Sequence, residues 1–147
     1  MTHAVTHNIK SLGEFKKCAQ AFASTLKIGD VVGLSGPLGS GKTTFIQSVA
    51  KKLGVASAVT SPTFVVFKLY QYAGSNGLAQ WLCHVDAYRL DRQEEAVGFE
   101  EYCGNDGAIC MIEWPENILH IDQYITHKIS IEVQKNNARI VRITKMP

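Results

Sequence analysis

Eight consecutive residues, Gly36-Pro-Leu-Gly-Ser-Gly41-Lys42-Thr43, set glycines, a lysine and a hydroxyl at the spacing GxxxxGK[ST]. Glycines let successive backbone N–H groups turn toward a polyphosphate, and a helix beginning at the lysine aims the positive end of its dipole at the same anion. Gly36, Leu38, Gly39, Ser40, Gly41, Lys42, Thr43 and Thr44 are therefore the candidate phosphate-binding set. In this reading Lys42 reaches the β and γ phosphates, and Thr43 offers its hydroxyl to Mg²⁺, which prefers oxygen ligands. Thr44 adds a hydrogen bond to the α phosphate. At ordinary amino-acid usage a chain of this length matches the pattern by accident roughly once in a few hundred cases, so chance is a poor explanation.

Such a loop also needs a carboxylate at the end of a neighbouring strand, and two present themselves: Asp86 after Trp81–Val85, and Glu113 after Ala108–Ile112. Either suits the task, and each is also what a surface acid at a strand end would look like. Thr60-Ser61-Pro62-Thr63 follows the loop's helix, where a hydroxyl can sense the γ phosphate; an ordinary proline turn is the other reading. His84 polarises water, binds a partner or is a hydrogen-bonded structural residue. Trp114 packs over a nucleotide or fills core, and Arg89 stabilises charge or pairs with Glu94 or Glu95.

The elements that must position these groups follow from periodicity. Val31–Ser35 is a short apolar run entering the glycine turn, and Lys42–Leu53 has helical spacing (Phe45, Val49, Leu53) with Gly54 as its stop. Upstream, Val5–Ile9 suggests a short edge strand. Ser11-Leu-Gly-Glu14 reads as a capping box opening a helix through about Leu26, with Leu12, Phe15, Ala19 and Phe22 on one face. Downstream, Phe64–Tyr72 is β-branched and aromatic, Gly74–Gly77 resembles a hairpin connection to Trp81–Val85, and Gln93–Phe99 suggests a short helix. Lys128–Val133 and Ala138–Ile143, flanking Gln134–Asn137, predict a final hairpin. The expected fold is α/β: a three-layer P-loop NTPase fold with a mixed, mainly parallel sheet and a C-terminal hairpin, as one domain over 1–147.

Composition narrows the class. A chain of 147 residues with 46% hydrophobic content can bury one core, and a net charge of +2 lacks the concentrated basic balance of a protein that grips nucleic acid alone. Cys18, Cys83, Cys103 and Cys110 show no CxxC pair or zinc-ligand spacing, which suggests reduced thiols. Neither an apolar leader nor a membrane-length apolar run is present, so the expected location is the cytoplasm, away from membranes.

Taken together, Gly36–Phe45, Thr60-Ser-Pro-Thr-Phe64, His84-Val-Asp-Ala-Tyr-Arg-Leu90 and Ile112-Glu-Trp-Pro-Glu116 resemble the TsaE (YjeE) family, ATPases of the bacterial pathway that makes threonylcarbamoyladenosine in tRNA. The four motifs span about the middle half of the chain. The resemblance implies ATP and Mg²⁺ as cofactors, and as partners the threonylcarbamoyl transferase TsaD with its companion TsaB, so that tRNA is met only indirectly through that complex. It also implies Thr43 and Glu113 as Mg²⁺ ligands, Lys42 as phosphate clamp, Asp86 as the carboxylate needed for hydrolysis and Trp114 beside the active site. Thr60, Ser61 and Thr63 would belong to a mobile switch. Pro37 stands where relatives commonly carry Asp, and Ser40 where they carry Ala, at positions that contribute mainly backbone.

The expectation is thus an Mg-dependent ATPase with slow intrinsic turnover, because no built-in arginine finger is evident beside the loop. Two other classes stay open. A small-molecule kinase would need an arginine-rich lid, against which the chain offers Arg89 and Arg92 and, far away, Arg139 and Arg142. In a nucleotide-dependent binding module, hydrolysis would be secondary to nucleotide state.

Overall fold

The computed structural model describes residues 2–62, 67–90, 98–104 and 107–147. In chain order the regular elements are β1 (His3–Ile9), α1 (Leu12–Ala23), β2 (Val31–Ser35), α2 (Lys42–Leu53), β3 (Phe67–Ala73), β4 (Ala79–Asp86), β5 (Ala108–Glu113), β6 (His127–Val133) and β7 (Arg139–Lys145). Short 3₁₀ turns lie at Phe99–Tyr102, Pro115–Asn117 and Ile121–Gln123. The strands form one sheet in the order β1-β7-β6-β2-β5-β4-β3.

The sheet is mixed, with the parallel pairings at its centre. β2 runs parallel to both β5 and β6, and β5 parallel to β4, while β3, β7 and β1 are added antiparallel. Every residue of β5 is buried, which explains its unbroken apolar run: a central parallel strand is covered on both faces. Alternation then sorts the side chains. Val32, Leu34, Leu82, Ile109, Met111, Ile129 and Ile131 meet α1 and α2 through Phe15, Ala19, Phe22, Phe45, Ile46 and Val49. Val31, Cys83, Val85, Cys110 and Ile112 face the other way, under Ile118, Ile121 and Ile125. Two α-helices thus cover one face, and among the described residues 3₁₀ turns and loops cover the other.

Several expected boundaries move. The first helix stops at Ala23 rather than near Leu26, because Thr25 bonds back to the Phe22 carbonyl through both its hydroxyl (2.7 Å) and its amide (2.9 Å). Its capping box is real: Ser11 Oγ accepts from Glu14 N at 3.1 Å, and Glu14 Oε2 accepts from Lys10 N at 2.8 Å. Leu12 leaves the apolar face, however, and is exposed at the first turn. The strand expected from Phe64 is described from Phe67, since residues 63–66 lie outside the described residues. The helix expected over Gln93–Phe99 also falls mostly outside them; what is described there is the 3₁₀ turn Phe99–Tyr102.

Both hairpins form where the turn residues predicted them. Gly74–Gly77 closes β3 on β4 with Gly77 at φ 79°, and Gln134–Asn137 closes β6 on β7 with Asn137 at φ 67°. All four cysteines are free thiols. No helix among the described residues is long and apolar enough to cross a membrane.

Candidate nucleotide site

The site lies where β2, β4 and β5 end, at the carboxyl edge of the parallel strands, the edge at which open α/β sheets bind ligands. β2 ends at Ser35 and the chain turns through the glycine loop straight into α2. Gly41, the residue before the helix, has φ 113°, a left-handed value that favours glycine. At Gly36 a Cβ would stand 2.7 Å from the Ile131 carbonyl and 2.7 Å from Ser40 Oγ, so close strand packing demands glycine there. The first turn of α2 has no side-chain cap, which leaves its amides facing the loop's concavity.

Parallel register brings the two acids together. Asp86 and Glu113 are direct partners across β4 and β5, and both point to the face on which α2 begins. Glu113 is buried, and the Thr43 hydroxyl donates to its Oε1 at 2.9 Å and its Oε2 at 3.0 Å. Ser61 Oγ lies 3.1 Å from the same hydroxyl, and His84 Nε2 lies 2.7 Å from Glu113 Oε2. Thr43, Ser61, Asp86 and Glu113 line one cavity of about 300 Å³ with Leu38, Gly39, Gly41, Lys42, Thr44, Tyr88 and Trp114.

Lys42 is 4% exposed, and its ammonium donates to the carbonyls of Gly36 (2.6 Å) and Pro37 (3.0 Å). It also sits 4.2 Å from the centre of the Trp114 ring. Burial pulls its pKa below the usual lysine value, against the opposing pull of Glu113, Glu116 and Asp86. Asp86 moves the other way. Burial raises its pKa, a shift that the hydrogen bond from Tyr88 N (3.0 Å) and the charges of His84 and Lys42 only partly offset and that Glu113 reinforces. Trp114 holds a left-handed backbone at φ 59°, a conformation costing about 1–3 kcal/mol in a bulky residue. The strain turns its ring over Lys42 and against Tyr88, 5.2 Å away.

The segment expected to act as a switch is tied to this centre. Gln47 Nε2 donates to the Val59 carbonyl at 2.8 Å, and the Tyr70 hydroxyl sits between Thr60 N (3.2 Å) and Thr60 O (3.3 Å). Ser61 thereby reaches Thr43; Thr63 lies outside the described residues, as do Glu94 and Glu95, the expected partners of Arg89. Ser40 turns its side chain inward, and its amide donates to the Pro37 carbonyl at 3.0 Å.

A second cavity, of about 430 Å³, adjoins the first and shares Gly39, Gly41 and Thr44 with it. Ile9, Lys10, Leu12 and Phe15 form one wall; Asn136, Asn137 and Arg139 of the last hairpin form another. Arg139 Nε donates to the Ser40 carbonyl at 2.9 Å and so pins the hairpin to the loop. The sequence gives Tyr88 no role, Phe15 only a place on the apolar face of the first helix and Arg139 only a distant place in the kinase alternative. Only the exposure of Leu12 on an otherwise buried face could have hinted at this wall, and exposure is not visible in periodicity.

The family profile described as Threonylcarbamoyl adenosine biosynthesis protein TsaE matches residues 9–142. Over 142 residues the chain is 34% identical to the tRNA threonylcarbamoyladenosine biosynthesis protein TsaE of Rickettsia typhi, covering 95% of this chain and 94% of that one. It is 41% identical over 101 residues to the protein of the same name from Bacillus subtilis, covering 69% of this chain and 60% of its relative. The crystal structure of Bacillus subtilis YdiB superposes with a TM-score of 0.73 at 28% identity, covering all of this chain and 88% of that one.

Proposed function

We propose that this chain, which belongs to the TsaE family and so has its role in tRNA threonylcarbamoyladenosine biosynthesis, is an Mg-dependent ATPase with slow intrinsic turnover that supports a TsaB and TsaD transferase complex. The observation that carries the reading is the convergence of Lys42, Thr43, Asp86 and Glu113 on one cavity at the mouth of a glycine loop. Amides of the loop and of α2 bind the phosphates, and Lys42, whose ammonium now rests on loop carbonyls, is the cation placed to meet their oxygens. The adjoining cavity between Phe15 and Arg139 has room for the base and sugar, with Thr44 at the junction of the two.

The donor set suits magnesium. Thr43 and Glu113 present hydroxyl and carboxylate oxygens within 3.0 Å of each other, with Asp86 on the adjacent strand, and a hard cation takes oxygen ligands of this kind. Thr43 and Glu113 would hold the ion, which when bound neutralises charge on the phosphates. Asp86, whose proton affinity burial raises, orients the attacking water and takes up its proton. Trp114 and Tyr88 wall the cavity and limit access of bulk water.

Slow turnover follows from the charge inventory. Among the described residues lining the phosphate cavity, Lys42 is the one cation, so no arginine there supports charge developing on the transferred group. The hydrogen bond between Ser61 and Thr43 favours a further role as a nucleotide-dependent switch, because the segment carrying Ser61 is coupled to the metal-ligand hydroxyl.

The test is the rate of Mg-ATP hydrolysis by the purified chain, alone and with TsaB and TsaD, using Lys42→Ala as the blank. A low rate that rises with the partners and vanishes in the variant is expected. No hydrolysis with or without partners would refute the ATPase reading, and metabolite-stimulated ADP formation would favour a kinase.

A further inference from the structure

We infer that His84 is a positioning residue for the metal-binding carboxylate: it holds Glu113 in the orientation that lets Thr43 and Glu113 act on one cation. The inference rests on the magnesium site proposed above. His84 is fully buried on β4, on the same face as Leu82 and Asp86, two residues before the strand ends. Its register partner on β5 is Met111, so the ring reaches diagonally to Glu113.

Burying an imidazole is unfavourable unless its nitrogens are satisfied, and here only one is. Nε2 lies 2.7 Å from Glu113 Oε2, whereas Nδ1 has no hydrogen-bond partner among the described residues. Because a carboxylate accepts and does not donate, Nε2 carries the hydrogen of this bond. An apolar residue would pack at this position without that penalty. What the histidine adds is the bond to Glu113.

That bond breaks the symmetry of the carboxylate. Thr43 Oγ1 is nearly equidistant from both oxygens, at 2.9 Å and 3.0 Å, and by itself leaves the carboxylate free to turn. His84 engages Oε2 alone. Once the Thr43 hydroxyl turns to a cation, His84 is the partner described for Glu113 that remains. Residues that orient a metal ligand in this way typically alter metal affinity by about 10–100-fold when removed.

The experiment measures the Mg²⁺ dependence of binding of a fluorescent ATP analogue, with Mn²⁺ binding followed by electron paramagnetic resonance. The variants are His84→Leu, His84→Gln and His84→Asn; the Gln side-chain nitrogen falls near the place of Nε2, and that of Asn falls short of it. His84→Leu and His84→Asn should raise the half-saturating Mg²⁺ by about tenfold or more and weaken Mn²⁺ binding in parallel, with Mg-free nucleotide affinity unchanged. His84→Gln should stay close to the parent. If Leu and Asn variants titrate like the parent, His84 does not position Glu113. Should His84→Leu fail to fold, the Gln and Asn variants decide, and equal Mg²⁺ dependence in those two overturns the inference. A parent protein whose nucleotide binding ignores Mg²⁺ would instead remove the magnesium site itself, and this role with it.

Discussion

Gly41→Ala tests whether the glycine loop is held by its backbone conformation alone or also by the first helix. The substitution carries two separable costs. A left-handed φ of 113° in an L-residue costs about 1–2 kcal/mol. The added Cβ would also stand 2.9 Å from Phe15 Cζ and 3.3 Å from Cε1. Phe15 is buried and meets Phe45 edge-on at 5.8 Å, and Phe45 is itself wholly enclosed, so the ring can yield only toward the adjoining cavity and at the cost of that contact. Overpacking of this kind costs about 1–3 kcal/mol. The sum, roughly 2–5 kcal/mol, lowers the melting temperature by roughly 6–15 °C at about 3 °C per kcal/mol.

Gly54→Ala supplies the control within the same helix. Gly54 ends α2 at φ 102°, yet nothing lies within 4 Å of a Cβ built there. It should show the backbone cost alone, a fall of roughly 3–6 °C, and bind nucleotide like the parent. Gly41→Ala should in addition lose about tenfold or more in nucleotide affinity, since a shifted loop misplaces the amides that meet the phosphates. Phe15→Leu in the Gly41→Ala background should restore part of the difference, a coupling that thermal melts of the four proteins measure directly. Equal melting temperatures for Gly41→Ala and Gly54→Ala would refute the steric argument.

Asp86→Asn should raise the melting temperature of the nucleotide-free protein at neutral pH while removing hydrolysis and sparing nucleotide binding. Burial lifts the folded-state pKa of Asp86 above 3.8, so its ionised form costs stability at neutral pH and protonation relieves that cost only as pH falls through the raised value; paired melts and turnover assays check both halves. His127 has the opposite linkage: burial lowers its pKa below 6.5, with Asp30 pulling up and Lys145 pushing down. The unfolded chain therefore takes the proton first, and stability should be lost as pH falls from about 6.5 toward the folded value, a loss that His127→Gln removes in melts between pH 7.5 and 5. Tyr70→Phe removes the hydroxyl that bridges Thr60 N and O, which should cost about 1 kcal/mol and speed amide exchange at Thr60 and Ser61 while leaving β3 protected. Unchanged exchange there would mean that Tyr70 does not anchor the Thr60–Ser61 segment.

The parts of this protein readable in the sequence are those decided within a few neighbouring residues. Glycine spacing, the Lys42–Leu53 periodicity with its Gly54 stop, the capping box at Ser11 and both hairpin turns are local events, and each forms where its residues sit. Local signals also place Asp86 and Glu113 at strand ends, but leave open which acid does what. Tertiary structure supplies the surroundings that differ between them: Glu113 accepts from Thr43, and Asp86 accepts from Tyr88 N. Thr43 and Glu113 are 70 residues apart, His84 and Glu113 are 29 apart, and Arg139 reaches Ser40 across 99. These contacts depend on which strands become neighbours and on their register, and a slip of one residue would turn His84, Asp86 and Glu113 to the far face of the sheet. The sequence by itself thus determined that a glycine loop would form between β2 and α2. Long-range strand pairing determined which carboxylate accepts from Thr43, which histidine steadies it and where a second cavity opens beside the loop.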